Sequence, residues 1–136
     1  MMTGRRNALG ALTFISLVLS GTVRGDGDTV WVSDSGLYKV SYTSSLEPIE
    51  INRIHEWLLH IETIDGDDVE NAEITIVGGM PAHDHGLPTR PRVTEHQGDG
   101  NYRVQGIRFH MSGDWEIEIT LKIGDRADNV SIELTL

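Results

Sequence analysis

The chain alternates apolar and polar side chains without a break over the stretch Trp115-Glu116-Ile117-Glu118-Ile119-Thr120-Leu121-Lys122. Successive side chains of a β-strand point to opposite faces, so this stretch predicts a strand with one buried face. After Gly124 the same alternation returns, in Val130, Ile132, Leu134 and Leu136. The last third of the chain therefore predicts β structure.

Similar patterns predict further short strands upstream, at residues 29–32, 37–43, 51–62, 72–77, 93–96 and 102–109, the last with a kink at Gly106. Turn signals separate them at Asp65-Gly66, Asp99-Gly100 and Ser112-Gly113-Asp114. Seven to nine strands without a helix indicate an all-β fold, an immunoglobulin-like antiparallel β-sandwich. Trp57 and Trp115 are expected to share its core.

One segment allows a helical interpretation, because Ile54, Leu58 and Ile61 have near-helical spacing within residues 53–61. We favour a strand there, since the Asp65-Gly66 turn would end it as a hairpin and its neighbours are β.

Residues 1–25 are predicted to be an export signal, with Arg5 and Arg6 ahead of a short apolar stretch at 8–19 and small residues after it. That stretch is shorter than the roughly 20 residues that cross a bilayer. An uncleaved N-terminal anchor is the less favoured alternative. We therefore expect a single domain at residues 26–136, periplasmic or secreted, with no spanning membrane segment.

The charge of this domain limits its partners. All 21 acidic residues follow Gly25, whereas three of the 11 basic residues precede Asp26, which leaves eight basic residues and a net charge of −13 with neutral histidines. Nucleic acid is excluded as a partner, because binding it requires a basic face. The chain has no cysteine, which excludes disulfides and thiolate metal sites.

The most informative polar segment is the predicted surface loop from Gly78 to Pro91, which carries Met80, His83 and His85. Imidazole and thioether ligands suit copper better than magnesium or calcium. In extended chain, residues two apart point the same way, so His83 and His85 are candidates to chelate one ion. The alternative is a polar loop whose histidines are only solvated.

A second pair, His110-Met111, precedes the turn at Gly113. Adjacent residues point to opposite faces, so we expect only one of the two to face the loop. His110 is the more natural ligand, Met111 is favoured if the ion is Cu(I), and packing of Met111 in the core is an equal alternative.

The other histidines carry less weight. His55 shares the face of Trp57, where it either closes the site from beneath or, as we favour, donates a hydrogen bond to a backbone carbonyl. His60 and His96 are expected at the surface. No G-x-S-x-G, H-E-x-x-H or phosphate-loop motif is present, so we expect no enzyme activity.

Residues 48–136 resemble the YtkA-like, or FixH-like, family of small exported β domains. The resemblance rests on His55-Glu56-Trp57, on the stretch from Gly78-Gly79-Met80-Pro81 to Arg90-Pro91, and on Phe109-His110-Met111-Ser112-Gly113-Asp114-Trp115. It implies an immunoglobulin-like sandwich, periplasmic or anchored outside a membrane, in a family often linked with copper handling or respiratory oxidase assembly. Met80, His83, His85 and Met111 match the family pattern directly, whereas His110 stands where many relatives carry asparagine.

Two functions follow as hypotheses. The first is a periplasmic copper carrier or chaperone, with a metal site drawn from Met80, His83, His85, His110 and Met111, that passes copper to a periplasmic or membrane protein. The second is a metal-independent interaction module of an exported assembly, in which the histidines only satisfy backbone groups.

Overall fold

The computed structural model describes residues 29–136, so the predicted export signal at 1–25 lies outside the described residues. This part of the chain forms nine strands and no helix. They are β1 Trp31–Val32, β2 Tyr38–Ser44, β3 His55–Thr63, β4 Glu73–Met80, β5 His85–Gly86, β6 Arg92–Gly98, β7 Asn101–Ile107, β8 Asp114–Ile123 and β9 Arg126–Thr135. From residue 29 onward, nothing in the fold is a helix able to cross a membrane.

The strands form two antiparallel sheets, in the order β1-β2-β3-β7-β6 and β5-β4-β8-β9. The chain changes sheet between β3 and β4, between β5 and β6, and between β7 and β8. The predicted all-β sandwich of seven to nine strands is confirmed.

Period-two alternation places the core between the sheets. Trp57 is fully buried and Trp115 is 1% exposed, and both belong to one core cluster. Phe109 lies between them, with ring centroids 6.4 Å from Trp57 and 5.2 Å from Trp115. The shared core is thus confirmed, and the helical interpretation of residues 53–61 is wrong.

The strand predicted from Ile51 begins later, at His55. Asn52 adopts a left-handed backbone conformation (φ 64°), and its N–H donates to the Phe109 carbonyl at 2.7 Å. The connection 45–54 therefore closes against the segment after β7 instead of extending β3.

The turn predicted at Asp65-Gly66 is present, but it does not join β3 to β4 as a hairpin. The chain folds back only briefly, with the Val69 N–H donating to the Ile61 carbonyl at 2.9 Å. It then crosses to the other sheet, where β4 pairs with β8. A local turn signal does not reveal which sheet receives the next strand.

The predicted kink at Gly106 is a β-bulge. His55 pairs with Ile107 and Glu56 with Gln105, which leaves Gly106 unopposed at φ 86°. The connections 45–54, 81–84, 87–91 and 108–113 all lie at one end of the sandwich, which we name the hairpin end. The turns at 33–37, 64–72, 99–100 and 124–125 lie at the opposite end.

Candidate metal centre

The segment from Gly78 to Pro91, predicted as a surface loop, contains a β-hairpin. Strand β4 continues through Met80 and pairs with β5, Gly79 opposite Gly86 and Met80 opposite His85. A hydrogen bond of 3.0 Å from the His83 N–H to the Met80 carbonyl closes the turn. Glycines in sequence favoured a loop, but here their bare backbone continues the sheet.

His83 and His85 come together, although not for the reason that their spacing suggested. His83 lies in the turn, and Asp84 between them is left-handed (φ 51°), so the alternation of an extended strand does not apply. Their ring centroids are nevertheless 6.3 Å apart, with 25° between the ring planes. Both residues are exposed at the hairpin end.

His110 joins the two histidines from the connection between β7 and β8. Its ring centroid lies 6.0 Å from that of His85, at 82°, and 5.5 Å from the Trp115 ring. Its Nδ1 atom is buried and has no hydrogen-bond partner. A buried polar atom without a partner costs free energy, so this nitrogen is suited to an additional group.

The spacing of the three rings can be compared with that of metal ligands. Two imidazoles that share an ion place their centroids about 5–6 Å apart, because each nitrogen lies about 2 Å from the metal. The separation of 6.0 Å between His85 and His110 lies at the upper end of that range, and the 6.3 Å between His83 and His85 lies slightly above it. Within residues 29–136, no three His, Asp or Glu side chains are already close enough to hold an ion.

Met80 was expected in an exposed loop, but it is only 1% exposed. It lies directly opposite His85, and residues so paired have side chains on the same face. Its Cε reaches Gly113, where an added Cβ would come within 2.8 Å. Met80 therefore lies on the same face as His85, in the core, and connects the hairpin with the 108–113 connection.

Met111 is the member of its pair that faces solvent. Its side chain is 37% exposed, so the alternative of core packing is wrong. Its backbone carbonyl accepts a 3.0 Å hydrogen bond from the Trp115 indole N–H. Of the pair, His110 brings its ring to the hairpin, with its centroid 6.0 Å from that of His85.

His55 is buried, with 5% exposure, and its Nδ1 is 3.1 Å from the Arg53 carbonyl. The favoured prediction, a hydrogen bond to the backbone, is confirmed. The other ring nitrogen, Nε2, is buried without a partner.

Both histidines expected at the surface lie there, His60 partly exposed and His96 exposed. His96 also makes contacts that the sequence did not indicate. The His96 ring stacks on Tyr102 at 4.4 Å, and its Nε2 is 2.6 Å from Glu70. Glu70 is far from His96 in the chain, so no local pattern signals the pair.

Comparison with known proteins places this chain. Among solved structures, the "ZirS C-terminal Domain" is similar with a TM-score of 0.44 and 12% identity, over all of this chain and 87% of that one. A likeness that weak adds nothing to the description of the fold. No curated protein matches the sequence. The sequence model of the family described as YtkA-like matches residues 33–120, which is 88 of the 136 residues. The chain therefore belongs to the YtkA-like family.

Proposed function

We propose that the protein is a non-enzymatic, periplasmic copper carrier that holds its ion at the hairpin end and passes it to another protein. The observation that carries the proposal is the approach of His83, His85 and His110 from two separate segments. Imidazoles are good ligands for copper, and Met80, paired with His85, is a candidate to add a thioether.

The exposure of the donors supports a carrier over a permanent cofactor site. His83 and His85 lie at the surface on a short hairpin, while His110 and Met80 are supported by the packed sandwich. A partner protein can reach the outer ligands directly. Functional groups are commonly presented on loops that a rigid scaffold holds in this way.

The alternative of a metal-independent module predicts histidines that satisfy backbone groups. That description fits His55, whose Nδ1 contacts a carbonyl. It does not fit His110, whose Nδ1 is buried without a partner. We therefore favour the metal-binding hypothesis for the cluster.

Titration calorimetry with Cu(II), and competition against a chromogenic chelator for Cu(I), test the proposal. We expect one ion to bind per chain and binding to be lost in His83→Ala with His85→Ala. His60→Ala with His96→Ala removes the same number of imidazoles elsewhere and should retain binding. Affinity no tighter than millimolar for both oxidation states, or equal loss in both double variants, would exclude the proposal.

A further inference from the structure

A groove of about 360 Å³ runs along the outer face of the β5-β4-β8 sheet, next to the histidine hairpin. Gly79 and Gly86 lie side by side on its floor, and Gly79 also lies opposite Glu116 on β8. Two adjacent positions without side chains leave the backbone open, so the groove is a consequence of those glycines. It reaches His85 and the tip of the hairpin.

Carboxylates form the walls of this groove. Asp84, Glu116 and Glu118 line it, and its lining contains no Lys or Arg. Other carboxylates of the chain, such as Glu56, Glu62 and Glu73, are paired with Lys or Arg side chains. None of the ion pairs formed within residues 29–136 uses the three carboxylates of the groove. Their negative charge is therefore not neutralised by the protein itself.

An apolar side chain completes the surface. Val77 is 56% exposed in the groove and lies directly opposite Glu118. Lys and Arg side chains combine an apolar stem with a charged head. A lysine or arginine laid along the groove can therefore cover Val77 with its stem and reach Glu118 with its charge.

We propose that this groove docks an extended, cationic segment of a partner protein, through Glu116, Glu118 and Val77. That the partner is the recipient of copper rests on the proposed function. Docking beside His85 would bring the partner's own ligands to the exposed histidines, and complementary charge would accelerate the encounter.

The test uses the full chain without copper and a synthetic nine-residue peptide that alternates lysine and serine. In amide NMR spectra at low salt, we expect the peptide to shift the signals of Gly79, Gly86 and Glu118. Glu116→Gln with Glu118→Gln should weaken binding roughly fivefold, as the loss of two exposed ion pairs predicts. Val77→Ser should weaken it as well.

The matched control is Asp65→Asn with Asp67→Asn, which removes the same charge at the opposite end and should leave the affinity unchanged. Equal weakening in both double variants, or shifts elsewhere than the groove, would show attraction to net charge only and overturn the proposal. Copper titration of Glu116→Gln with Glu118→Gln separates the two hypotheses. If this variant keeps its copper affinity but binds the peptide more weakly, both hypotheses are supported. If the wild type binds no copper, the docked partner is not a copper recipient, but the docking result stands.

Discussion

The Met80 methyl group lies against Gly113, so close that a Cβ on Gly113 would come within 2.8 Å of it. Gly113 also exchanges two backbone hydrogen bonds with Leu136, of 2.8 and 3.0 Å. One glycine thus joins three parts of the hairpin end, namely strand β4, the 108–113 connection and the C-terminal residue. Its backbone, at φ 128°, is in a region that favours glycine.

Gly113→Ala should therefore destabilise the protein for two reasons. The backbone becomes strained, at a cost of about 1–3 kcal/mol, and Met80 must move. Gly66→Ala is the closer control, because Gly66 also has a large positive φ (95°) but nothing lies within 4 Å of its added Cβ. Urea unfolding should show a larger loss at 113 than at 66. Equal losses would mean that the contact with Met80 has no measurable cost.

Trp57→Ala should lower the free energy of unfolding by about 3–5 kcal/mol, since it empties a large volume of the core. Leu58→Ala on the same strand is the control, because Leu58 is 37% exposed and should cost much less. Thermal or urea unfolding measures both. A loss below about 1 kcal/mol for Trp57→Ala would contradict the burial of that side chain.

Asp128 on β9 joins the two sheets at the opposite end of the sandwich. It is 7% exposed and accepts hydrogen bonds from the Ser35 hydroxyl and N–H. Burial raises the pKa of this carboxyl, but hydrogen bonds from Ser35, Ser33 and the Asn129 N–H outweigh it and hold the pKa below its ordinary value.

A lowered pKa in the folded state means that the ionised Asp128 stabilises the fold at neutral pH. This contribution is complete above the unfolded-state pKa of about 3.9 and is lost as the pH falls through the lower pKa of the folded state. Asp128→Asn should therefore cost about 1–3 kcal/mol at pH 7 and less below pH 4. Urea unfolding at both pH values measures the difference, with exposed Asp125→Asn as control. A penalty that does not shrink in acid would contradict the assignment.

If the proposed function holds, copper should raise the melting temperature. An ion that binds only the folded form stabilises it by about 2.7 kcal/mol at a hundredfold excess over Kd. His110→Ala should reduce this shift, and His83→Ala with His85→Ala should abolish it. Scanning calorimetry with and without copper measures each variant.

Met111→Leu decides whether the exposed thioether takes part. The substitution conserves volume and apolarity at a residue that is 37% exposed, so the metal-free protein should melt nearly as the wild type does. A smaller Cu(I)-induced shift in this variant would show that the sulfur ligates. An unchanged shift would confine the site to the histidines and Met80.

Sequence was sufficient for features that depend on near neighbours. The alternation of apolar and polar residues showed which side chains of β3 and β8 face the core. Each strand is buried on one face, and that face carries Trp57 in β3 and Trp115 in β8. The bulge at Gly106 was likewise visible as a glycine inside a strand.

Features that depend on pairing between residues far apart in the chain could not be predicted from the sequence. Strand β4 extends through Gly79, where it pairs with Glu116 on the distant β8, and glycine carries no strand signal of its own. From the sequence alone, Met80 and Met111 were both candidate metal ligands. Only the stacking of the two sheets decides that Met80 is covered and Met111 is not.

The hairpin and His110 are far apart in the chain, so the histidine cluster exists only in the folded protein. This dependence has a consequence for how long the protein survives. These imidazoles meet only after β4 has paired with β8, so an unfolded copy has no such cluster. If the proposed function holds, an ion held there withdraws molecules from the unfolded population on which proteases act. The turnover of the protein should then follow the supply of copper, with loaded copies persisting and empty ones degraded first.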